Sequence, residues 1–206
     1  MAIAINGTGT VTGLSVGGVN DGAIAHADLA DSTKPMYVSY ARLEDRKSQN
    51  TGGGSNTGGT SELRDLNTEA LDPDGIIIGF NNNATSGNLK ANGTNYTVQP
   101  GAKYWTLGAG TYVIRWSAPM YHTGRHKTFV YDETNSSFVA YGTAEYAYYS
   151  TTRSTGSGRV TLTGNTTFSL NHRGETGISS NGFGVESNFG SQHETYSVVE
   201  IYKEAS

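Results

Sequence analysis

Between residues 103 and 171 short runs of strand composition follow one another in pairs, each pair separated by a turn of small or polar residues. Runs 103–107 and 111–117 flank Gly108-Ala109-Gly110, runs 126–132 and 138–141 flank the polar stretch 133–137, and runs 158–163 and 166–171 flank Gly164-Asn165. A side-chain period of two suits a strand with one face buried, whereas Gly and Asn tolerate the left-handed backbone of a tight turn. Each pair of runs therefore predicts a hairpin. Strands this short and this closely spaced leave no room for crossover helices, so the expected class is all-β, an antiparallel sandwich or barrel. The wider composition agrees, because 28 Gly and 13 Tyr in 206 residues favour turns and pleated surfaces.

Strand signals continue outside this block. Residues 36–43 have strand composition, Asp72-Pro73-Asp74-Gly75 is a turn signal before the apolar run 76–80, and residues 196–203 close the chain as another strand. Residues 52–60 read as a flexible glycine loop, and without a following Lys and helix they form no phosphate cradle. The texture changes near Met36, so residues 1–35 are expected to form a separate peptide and linker, and residues 36–206 a head domain.

In the leading peptide, residues 3–19 alternate apolar and small residues, with Ile3, Ile5, Val11, Leu14 and Val16 on the apolar face. That face is too thin for a core of its own. Such a segment gains most by adding itself to another chain's sheet, although a strand within the head's own sheet is the plainer alternative. Residues 21–31 contain helix formers sufficient for a turn or two.

Several partners are excluded. The net charge is −4 and the 14 Lys and Arg are scattered, which gives no footprint for nucleic acid. With no Cys there is no disulfide framework or thiol chemistry. No apolar stretch has the ~20 residues of a membrane helix, and residues 1–30 lack a secretion signal, so neither membrane insertion nor signal-directed export is expected. A chain of this kind suits a protein made in a cytoplasm and released in a particle.

The run Gly108-Ala109-Gly110-Thr111-Tyr112-Val113-Ile114-Arg115-Trp116-Ser117-Ala118-Pro119-Met120-Tyr121 resembles a signature of C1q/TNF-like jelly-roll heads on phage structural proteins. Arg125-His126-Lys127, Gly142-Thr143-Ala144-Glu145-Tyr146 and the closing Val198-Val199-Glu200-Ile201-Tyr202-Lys203 follow in the family's order, and residues 58–67 are similar to its opening strand. The resemblance covers about residues 36–203, and the leading peptide is similar to that of virion fibre and spike proteins of cyanobacterial and marine phages. It implies a homotrimeric virion protein, docked to other virion proteins by its N-terminus. Heads of this type bind rather than catalyse, so no cofactor is expected. Tyr196, Val198, Ile201 and Tyr202 are its expected core and trimer strand.

The candidates for chemistry are sparse. His122 and His126 are four apart but interrupted by Gly124, which reads as ordinary surface or hydrogen-bonding histidines rather than a metal pair. His172 and His193 lie in separate segments; stacked at a threefold axis they could bind a metal or anion, but nothing in the sequence shows it. Glycan hydrolysis needs two carboxylates ~5–10 Å apart, and Asp132, Glu133, Glu145, Glu175, Glu186 and Glu194 are scattered in sequence. No catalytic or metal site is expected. Binding needs less: residues 144–158 carry Tyr146, Tyr148, Tyr149 and Arg153 before a polar stretch expected to be mobile, the composition of a recognition surface. Host-surface glycan is the expected partner, and packing of these rings within the sandwich or a trimer interface is the alternative.

Overall fold

A computed structural model describes residues 35–81, 97–98 and 101–205. Tyr37–Ser206 is one compact unit. The leading-peptide residues Ile3, Ile5, Val11, Leu14 and Val16, and the helical turn expected at 21–31, lie outside the described residues.

The described residues form twelve strands: β1 (Tyr37–Lys47), β2 (Ser61–Leu63), β3 (Thr68–Leu71), β4 (Ile77–Asn81), β5 (Thr97–Val98), β6 (Tyr104–Leu107), β7 (Gly110–Tyr121), β8 (Gly124–Asp132), β9 (Ser137–Ala147), β10 (Thr151–Leu162), β11 (Thr166–Gly174) and β12 (Glu194–Glu204). They form two antiparallel sheets. The first runs β10-β7-β12-β1-β3-β5, and the second β4-β6-β11-β8-β9 with β2 also paired to β11. From β6 onward the chain passes repeatedly between sheets, as in a jelly roll, which establishes the all-β sandwich expected from sequence.

Alternation explains why the sheets stack. Along β7, Tyr112, Ile114, Trp116, Ala118 and Met120 are buried while Arg115 on the other face is exposed. All of the buried ones but Met120 join Leu43, Val199 and Ile201 from their own sheet and Phe80, Trp105, Val130, Phe168 and Leu170 from the other in one core. Trp105 and Phe168 stack with centroids 5.8 Å apart. The Trp116 indole is also anchored across the sheets, its Nε1–H donating to Thr128 Oγ1 at 2.8 Å.

Two of the three expected hairpins are corrected. The β8–β9 pair is a hairpin, with Asp132 opposite Ser137 and its turn fixed by Asn135 N donating to Asp132 Oδ1 at 2.9 Å. By contrast β6 and β7 lie in different sheets, as do β10 and β11. Their Gly-rich turns carry the chain across the sandwich. Turn chemistry reports a reversal and not whether the next strand pairs or crosses.

The glycine loop also departs from expectation. Residues 53–56 are hydrogen-bonded to residues 178–184, with Gly54 N to Ser180 O at 2.9 Å and Asn56 N to Ile178 O at 3.0 Å. Its glycines are needed for close approach: a Cβ on Gly53 would lie 2.5 Å from Phe183 O. Beneath it Arg64 is fully buried, donating from Nε to Ser197 Oγ at 2.8 Å, from Nη1 to Pro119 O at 3.3 Å and from Nη2 to Phe183 O at 3.1 Å. Burial pushes this guanidinium down to about 10, against the pull of Asp45 and Asp65, so it stays charged at neutral pH. The expected opening strand at 58–67 thus contains only the short β2, followed by this buried cation.

Candidate functional site

Two inter-sheet turns lie side by side at one end of the sandwich. The β7–β8 turn carries His122 and the β9–β10 turn carries Tyr148 and Tyr149, because Tyr121 pairs with Thr151 in one sheet and Gly124 with Ala147 in the other. They are tied together: His122 N donates to Ser150 O at 3.2 Å, and Tyr149 N donates to His122 Nδ1 at 2.8 Å. His122 and Tyr149 both have left-handed backbones, with φ of 53° and 48°. For side chains of this size that conformation costs about 1–3 kcal/mol each, and such strain concentrates where side chains are held out for use.

What it holds out is an aromatic patch. Tyr149 lies over His122 with centroids 4.1 Å apart, Tyr148 stands edge-on to Tyr149 at 4.5 Å, and Tyr146 stacks with Tyr148 at 6.3 Å and 21° between planes. Tyr146, Tyr148 and Tyr149 nevertheless expose 59, 59 and 70% of their surface. The cluster mixes stacked and edge-on contacts, and each ring keeps more than half of its surface in solvent.

Next to the patch a groove of about 650 Å³ runs over the β8–β9 sheet, reaching from Tyr146 to Glu175. Its walls carry Arg125, Lys127 and Arg173, with Glu145 and Glu175 as the carboxylates. Glu175 is committed to Arg125, accepting from Nη1 at 3.2 Å and from the backbone N at 3.1 Å. Gly124 permits this clasp, since a Cβ there would sit 2.6 Å from Glu175 Oε2.

Under the groove lie two buried histidines. His126 Nδ1 and His172 Nε2 share a hydrogen bond of 2.9 Å, and His126 Nε2 meets Thr152 Oγ1 at 2.7 Å. Burial pushes His126 down to about 4, helped by the charge of Arg64 and opposed by Glu145. Burial, Arg64 and His126 hold His172 well below the usual imidazole range. Both are neutral at pH 7. His172 is thus an interior group and not free to stack at a threefold axis, and His193 is exposed in another segment.

The structure brings Tyr146, Tyr148 and Tyr149 together but not Arg153. That side chain lies on the first sheet, with Nε donating to Ser117 Oγ at 2.7 Å and Nη2 donating to Tyr196 O. The polar stretch expected to be mobile is β10, paired residue for residue with β7. His122, read as an ordinary histidine, is the ring on which Tyr149 rests. On the closing strand Ile201 is core and Tyr196 is buried, with its hydroxyl donating to Thr51 O at 2.7 Å. Val198 and Tyr202 are half-buried on the outer face, where Tyr202 packs against Tyr40 at 5.0 Å. Among the described residues no His, Asp and Glu cluster is placed to hold a metal.

No protein-family model matches the chain, and no curated protein does. Among solved structures it is similar to murine APRIL at pH 8.0, with 9% identity and a TM-score of 0.41 over 80% of this chain and 98% of that one. It is also similar to the globular domain of zebrafish complement 1qA protein, with 9% identity and a TM-score of 0.39 over 81% of this chain and 97% of that one. The jelly-roll assignment rests on the strand order itself, and the functional reading on the patch and groove.

Proposed function

We propose that the chain is a non-catalytic virion fibre or spike protein, a homotrimer anchored by its N-terminal peptide, whose jelly-roll head adsorbs to host-surface glycan through Tyr146, Tyr148 and Tyr149. The observation that carries this reading is the exposed, backbone-strained aromatic patch beside a polar groove. Ring faces with polar edges suit sugars, which offer flat C–H faces bordered by hydroxyls, and few groups need be fixed in advance. Virion origin and N-terminal anchoring draw support from the sequence resemblance. Trimer formation draws it also from aromatic side chains outside the core, where Tyr37, Tyr40 and Tyr202 gather on one sheet.

The test is binding of the purified chain to host cells. Binding that disappears after periodate treatment of the cells and after Tyr148→Ala with Tyr149→Ala supports the reading; binding that survives both overturns it. A second reading, a decoration protein that reinforces its neighbours without touching a receptor, is favoured by another aromatic surface. On the outer face of the second sheet Phe138 and Tyr141 are exposed and stacked at 5.1 Å, with Phe129 and Tyr131 beside them. A chain that fails to bind cells yet stabilises particles establishes it.

A further inference from the structure

Lys127 on β8 and Arg173 on β11 stand directly opposite each other in the second sheet. Both side chains are on its exposed face, and both line the groove beside Tyr146. Like charges facing one another across a strand pair repel, so this placement weakens the empty sheet unless an anion comes between them. The groove's own carboxylates do not fill that role. Glu175 is held by Arg125, and Glu145, opposite His126 in the register and so one position along from Lys127, makes no ion pair with either cation among the described residues. Among the described residues the Arg173 guanidinium makes no hydrogen bond or ion pair, and the Lys127 ammonium has only the Tyr141 ring, 4.9 Å from its Nζ. One planar guanidinium, one ammonium and an adjoining ring platform are thus left facing solvent together. Tyr146 is opposite Arg125 in the register, which places the platform on the same wall as the cations.

We propose that this groove takes an acidic sugar, its anionic group bridging Arg173 and Lys127 while its ring lies against Tyr146. The inference deepens the glycan-binding reading and rests on it. A guanidinium fork binds a carboxylate through two parallel N–H···O bonds, and the ammonium adds a point charge. A volume of about 650 Å³ falls within the range of small-ligand sites and admits a short stretch of polysaccharide. Sulfate esters share the chemistry of a sugar carboxylate. The assay separates the two sources.

The full chain is titrated calorimetrically with a hexagalacturonate, a sulfated heparin hexasaccharide and neutral maltohexaose, and a single-stranded oligonucleotide serves as a non-sugar polyanion. The expected result is binding of an acidic hexasaccharide at least about tenfold tighter than the neutral one, weakening as salt is raised. Which acidic sugar binds better names the anion. Lys127→Gln with Arg173→Gln should remove that preference while leaving the melting temperature unchanged or raised, because the like-charge pair is gone. Equal binding of acidic and neutral sugars, or a preference that survives the double variant, overturns the acidic-sugar inference and leaves glycan binding standing. Tighter binding of the oligonucleotide than of any sugar overturns it in favour of a nucleic-acid groove. Failure to bind any of the three sugars counts against this inference and the glycan reading together.

Discussion

The buried pair His126 and His172 should make this domain acid-labile. In the fold both imidazoles are neutral, one donating to the other along the 2.9 Å hydrogen bond. Protonation puts a second positive charge beside the buried Arg64 and removes the acceptor from that bond. In the unfolded chain each histidine titrates near its ordinary value of about 6.5. Stability is therefore complete above about pH 6.5 and is lost as pH falls toward the folded value of about 4 for His126, because the unfolded chain binds the proton first. That depression corresponds to roughly 3 kcal/mol at full effect, of which about 2 kcal/mol falls between about pH 7 and about pH 5. His172, shifted in the same direction, adds to the loss. Chemical denaturation at about pH 7 and about pH 5 measures it, with His126→Gln combined with His172→Gln as the comparison. The wild-type chain should lose stability across this interval and the double variant much less. Equal slopes for the two proteins, or a flat wild-type profile, would refute the buried neutral pair.

Three further outcomes follow from the packing and the anchor. Gly156→Ala puts a Cβ 2.1 Å from Trp116 Cζ2, so overpacking should cost about 1–3 kcal/mol in urea denaturation; an unchanged midpoint contradicts the indole's position. Arg64→Met leaves Ser197 Oγ and the carbonyls of Pro119 and Phe183 without their donor, for a loss of about 3 kcal/mol and faster amide exchange at residues 53–56, and unchanged exchange there contradicts the clamp. Deleting residues 1–30 should leave a folded trimeric head that no longer joins particles, and its recovery in purified particles refutes the anchor.

The legible part of the fold was what depends on local alternation. β1, β7, β8 and β12 could be placed because burial on one face stamps a period of two on the sequence, as Tyr112, Ile114 and Trp116 show. Which strands pair was not legible at Gly108-Ala109-Gly110 or at Gly164-Asn165, since a turn within a sheet and a turn between sheets need the same backbone freedom. The glycine stretch at 52–60 misled for a different reason. Its order comes from bonds to residues more than a hundred positions away, such as Ile178 N to Asn56 Oδ1, and composition carries no trace of them. In the candidate site the three tyrosines were legible as aromatic residues in a turn-rich stretch. His122 was not, because its role comes from two turns that only the sheet pairing brings side by side. Arg153 was misassigned because strand alternation within a Thr, Ser and Gly run is too weak to show which way the side chain points.

The central claim is that the strained tyrosine patch is a sugar-binding surface. Glycan-array hits titrated against the wild-type chain and against Tyr148→Ala with Tyr149→Ala test it most directly. The account predicts a loss of at least about tenfold in affinity with an unchanged melting temperature, since both rings are mostly exposed. Affinity that is equal in the two proteins would contradict it.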